Sequence, residues 1–100
     1  KLAERLYPNN PYLENYYRVY SSILKERGSE AFNTEKYKES AIAYNYCTLV
    51  VPNDPHAWYG LGGAYYHLKR YDKAKQCWEK TLRLDSEYEN ARKALKDLPD

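Results

Sequence analysis

The chain has 100 residues, 43% of them hydrophobic and 30% charged, a balance that fits one globular domain and excludes a disordered chain. Sixteen basic against fourteen acidic residues leave a net charge of +2, too little for the electrostatic footprint of a general nucleic-acid binder. No apolar run approaches the roughly 18 residues that a membrane span needs, and no signal-peptide core is present, so the expectation is a soluble, cytoplasmic protein without a membrane partner.

Segment 1–10, Lys1 to Asn10, lacks an initiator Met and ends at Pro8, so it reads as the tail of a preceding helix or a cap on an excised piece. Asn10-Pro11 then marks a helix start: the Asn can accept from free backbone N–H groups, and proline's fixed φ suits the first turn. The helix predicted over 11–33 carries Leu13, Tyr16, Tyr17, Tyr20, Ile23, Leu24, Gly28 and Ala31 as one stripe. It would be about 35 Å long. A second helix follows over 37–50, closed by Pro52. Asp54-Pro55 repeats the start signal and opens a third helix over 55–68.

On that third helix Trp58, Leu61, Gly62 and Tyr65 form a packing face, with Gly62 admitting a neighbour closely. Tyr59, Gly63 and Tyr66 fall about 100° further round, in line with His56 and Arg70. A fourth helix over 72–84 buries Ala74, Trp78, Leu82 and Leu84. Ser86 and Glu89 have the spacing of a capping box, which starts a fifth helix over 87–97. All the periodicity is helical, so the fold class is all-α.

Cys47 and Cys77 have neither CxxC spacing nor a nearby pair of histidines, and read as buried reduced thiols. His56 and His67 are about 16 Å apart along one helix, too far to share a metal. The basic run from Lys69 to Arg83 is diluted by Asp72 and Glu79 and reads as a solvated helix face. No strand precedes the glycines of the third helix and no GK[ST] follows them, which excludes a phosphate loop. No catalytic residue, cofactor or metal is expected.

Trp58-x2-Leu61-Gly62-x2-Tyr65, followed by Ala74-x3-Trp78, resembles the signature of the tetratricopeptide repeat, a 34-residue pair of antiparallel helices. Leu24, Gly28, Ala31, Phe32, Tyr37, Ser40, Tyr44, Cys47 and Pro52 resemble a second copy, with Ser40 and Cys47 where small alanines usually stand. Pro8 and Pro52 lie 44 residues apart, which implies an extended first helix in that copy. The resemblance implies a right-handed solenoid segment divided into 1–10, a first repeat over 11–54, a second over 55–86 and a capping helix over 87–100.

It further implies a non-catalytic interaction scaffold whose concave groove takes a peptide or helix of a partner protein. The groove residues would be Lys25, Ser29, Phe32 and Asn33 from the first repeat and His56, Tyr59, Gly63, Tyr66 and His67 from the second. Packing of the Tyr59–Tyr66 stripe against another repeat is an equal alternative. Members that grip acidic chaperone tails use a Lys–Asn pair, a further Asn, and a Lys–Arg pair. Lys25 fits, but Ser29, Gly60, Asn90 and Ala94 replace the rest, so that clamp is largely absent. A secretion-type chaperone, a docking domain of a larger enzyme, and a self-assembling homo-oligomer are the other readings.

Overall fold

A computed structural model describes residues 11–99, which form five helices: α1 Pro11–Asn33, α2 Tyr37–Val50, α3 Pro55–His67, α4 Tyr71–Leu84 and α5 Glu89–Lys96. The described residues contain no strand. The expectation for segment 1–10 lies outside the described residues. α1 and α2 pack as one hairpin, α3 and α4 as the next, α3 lies against α2, and α5 closes the far end against α4.

The two hairpins share their turn chemistry at a spacing of one repeat. Glu35 and Lys69 both adopt positive φ, 62° and 64°. At the first turn the Lys36 N–H donates to the Ala31 carbonyl at 2.8 Å and the Glu35 N–H to the Phe32 carbonyl at 3.0 Å. At the second, Arg70 donates to Tyr65 at 2.9 Å and Lys69 to Tyr66 at 3.0 Å. This bonding satisfies the last carbonyls of α1 and α3 and requires one left-handed residue, a place usually taken by glycine. A side chain there costs about 1–2 kcal/mol. Glu35→Gly and Lys69→Gly are each expected to stabilise the fold by up to about 1 kcal/mol in chemical denaturation, glycine's extra freedom in the unfolded chain offsetting part of the relief.

Helix starts follow the sequence in one place and depart from it in another. Asp54 caps α3 as expected, its carboxylate accepting from the His56 N–H at 3.0 Å with Pro55 in the first turn. The capping box at Ser86 does not form. Instead Asp85 accepts from the Glu87 N–H at 3.1 Å, and the chain runs through a turn before α5 begins at Glu89. Arg92 holds that turn by donating to the Ser86 carbonyl at 2.7 Å. The Asp85 carboxylate bonds the backbone N–H two residues on, an Asx turn that leaves the Ser86 carbonyl to the arginine.

The core runs between the hairpins. Ala41, Leu61, Ala64 and Cys77 form its centre, with Tyr44, Trp58, Tyr65 and Leu68 packed around them. Leu24, Cys47 and Ala57 extend it toward α1. Ser40 is fully buried and donates to the Gly28 carbonyl at 2.8 Å, and Cys47 lies 3.6 Å from the Ser21 carbonyl as a weak donor. These two small polar residues thus tie α2 onto α1 where alanine could only pack. Burial pushes both thiols up, Cys47 and Cys77 each to about 11, so neither is a nucleophile at neutral pH.

The single stripe expected on α1 divides in two. Ser21, Leu24 and Gly28 are buried against α2, whereas Tyr16, Tyr20 and Ile23 are 58%, 40% and 43% exposed. The cause is length, since α1 has 23 residues and α2 only 14. Its first half therefore reaches beyond the helix that would cover it.

Candidate functional site

α1 and α3 lie side by side and carry all nine residues expected of a groove. Four of these gather at the corner where α1 ends and α2 begins. The Phe32 ring sits 5.2 Å from the His67 ring, edge to face, and His67 stacks on Tyr37 at 4.4 Å with the planes 8° apart. A Cβ on Gly63 would stand 3.5 Å from Phe32, so this glycine leaves the phenyl ring an open neighbour and no steric block. Tyr66 completes the patch, 5.5 Å from His67 and 5.9 Å from Trp78.

At the other end of α3, the His56 Nδ1 and the Tyr88 hydroxyl are 2.9 Å apart, and the Tyr59 and Tyr88 rings are 5.2 Å apart. Burial raises the Tyr88 phenol, which keeps it protonated beside the imidazole. Lys25 reaches across from α1 to the Asp54 carboxylate at 2.7 Å, with the aspartate side chain only 13% exposed. Its ammonium is therefore already paired with the group that caps α3. Ser29 and Asn33 continue along exposed positions of α1, and Ser29 is hydrogen-bonded to the Tyr44 phenol.

The structure therefore groups Phe32, Gly63, Tyr66 and His67 in one patch, and His56 and Tyr59 in a second. Lys25 is held at the rim by its ion pair. Tyr59 and Tyr66 are half-buried and both lean on Trp78. A variant that truncates both rings would therefore loosen the core as well as any recognition surface. Sequence reasoning missed Tyr37, which stacks on His67, and Tyr88, which meets His56 edge to face and through its hydroxyl. Tyr37 opens a helix directly after a three-residue turn, and that position was the available signal.

Gly60 explains why the asparagine of the carboxylate clamp cannot stand here. A Cβ at this position would meet the Tyr44 ring at 2.5 Å. Lys25, the one clamp residue present, is engaged by Asp54. Among the described residues no group of His, Cys, Asp and Glu side chains has the arrangement of a metal site, and no described helix is long and apolar enough to cross a membrane.

Antiparallel helix pairs of equal register, stacked through a shared core and closed by an amphipathic helix, define a helical-hairpin repeat protein. Residues 55–88, which hold α3, α4 and the turn before α5, match the family described as tetratricopeptide repeat. This part of the chain is a tetratricopeptide repeat, and repeats of this family generally mediate protein–protein interaction. No curated protein matches the chain significantly.

Proposed function

We propose that the chain is a non-catalytic interaction module, with α1–α2 as a first repeat, α3–α4 as a second and α5 as its cap, and that the α1/α3 face receives a peptide or helix of a partner protein. The observation that carries this reading is the open patch around Gly63. Phe32 and Tyr66 flank a position with no side chain, so a partner backbone can approach aromatic surface there. Rigid aromatic area with polar tips anchors a partner at low entropic cost. Ser29, Asn33 and His67 are exposed around it and supply polar contacts.

The test begins with affinity capture by the intact protein and identification of what it retains. The exposed rim is then altered without touching the core, as Asn33→Glu. That variant should melt as the parent does yet bind the captured partner at least tenfold more weakly, about 1.4 kcal/mol. Unchanged affinity would remove the α1/α3 face as the binding surface.

A further inference from the structure

A second surface lies on the other side of the first hairpin. A groove of about 590 Å³ runs between α1 and α2, floored by Tyr20, Leu24, Ala31, Ile42, Ala43 and Tyr46, and none of its lining residues belongs to α3. Ile42, Tyr46 and Leu49 project from α2 at 58%, 55% and 61% exposure. Contiguous apolar surface of this kind marks an interaction site in a water-soluble fold.

The molecule contains its own control for this surface. α2 and α4 are both 14-residue helices and begin at Tyr37 and Tyr71, one repeat apart. At the register of Ile42, Tyr46 and Leu49, α4 carries Gln76, Lys80 and Arg83. The fold therefore works with polar residues at these places, and hydrophobic ones on α2 serve something beyond the hairpin itself. Ala43 of the groove floor corresponds to Cys77, which is buried in the second hairpin.

We propose that the occupant is a second copy of this chain, with the uncovered half of α1 from each copy lying in the α1/α2 groove of the other. Tyr16, Val19, Tyr20 and Ile23 follow the i, i+3, i+4, i+7 spacing of a helix face and are 40–58% exposed. A two-fold interface must be complementary to itself, so any charges at its edge need opposite signs on the same surface. The groove edge meets this condition, with Arg27 and Lys36 balanced by Glu30 and Glu39. Tyrosine-rich apolar surface is also the composition of interface centres. This surface is separate from the α1/α3 face, and neither reading depends on the other.

Sedimentation velocity of the full 100-residue chain across about 1–200 µM tests the proposal, since self-association is concentration-dependent. The parent should move from monomer to dimer within that range. Ile42→Gln/Tyr46→Lys/Leu49→Arg places the α4 residues on α2 and should leave a folded monomer by circular dichroism. Tyr16→Glu alters only the uncovered half of α1 and should weaken association at least tenfold. It decides the matter should the triple variant lose its fold. A parent that stays monomeric throughout, or folded variants that dimerise as the parent does, would overturn the proposal.

Discussion

Replacing Trp78 with alanine is expected to cost about 3–5 kcal/mol, a large share of the 5–15 kcal/mol that holds a typical domain together. The indole is 4% exposed and is the largest side chain in the cluster it shares with Ala74 and Ala91. Its Nε1 donates to the Tyr59 carbonyl at 3.2 Å, tying α4 to α3. Gly62 makes that approach possible, because a Cβ there would be driven into the indole nitrogen. Leu95 and Leu98 rest on the same cluster, so α5 is docked largely through this ring. Denaturant melts of Trp78→Ala should therefore shift strongly, and amides of α5 should lose exchange protection before the rest of the fold. Trp58→Ala should cost less. Trp58 keeps an exposed edge, with its Nε1 donating to the Pro52 carbonyl at 2.9 Å and Lys80 above its ring. A loss below about 1.5 kcal/mol for Trp78→Ala would show that α5 is held by other contacts.

The contrast between the two tryptophans shows what the sequence can and cannot carry. Helix periodicity and the Asp54-Pro55 start placed four of the five helices within a residue of where they lie, because those signals act within one or two turns. The repeat spacing also put Trp58 and Trp78 on packing faces. It could not rank them, since burial depends on α5, whose docking is a long-range event. The same holds for the groove residues. Their helices were legible from spacing, and their choice came from the resemblance to the repeat. That Lys25 is consumed by Asp54, and that Tyr59 and Tyr66 lean on Trp78, depends on neighbours 29, 19 and 12 positions away. The left-handed Glu35 and Lys69 were hidden for a different reason: nothing about either residue type signals positive φ, and only the bonding of the turn imposes it.

Tyr44 offers the sharpest test of how the two hairpins are joined, because its ring is gripped from both sides. A Cβ on Gly28 of α1 would stand 2.7 Å from Cε2, and one on Gly60 of α3 would stand 2.5 Å from Cζ. The ring cannot swing away from one helix without striking the other. Burial accordingly raises the phenol's pKa, with the Ser29 hydrogen bond partly opposing the shift. Gly60→Ala on its own would gain about 1 kcal/mol of helix propensity. Overpacking of about 1–3 kcal/mol and loss of the ring's fit should outweigh that gain, so the variant is expected to be less stable than the parent. In a Tyr44→Leu background the clash is gone, since leucine does not reach the distance of the ring's far edge. There Gly60→Ala should become stabilising by up to about 1 kcal/mol. The sign of one substitution thus reverses with the residue facing it, a coupling of about 1–3 kcal/mol in a double-mutant cycle. Propensity alone would give the same gain in both backgrounds, and equal effects in the two would mean that the ring is not clamped between α1 and α3.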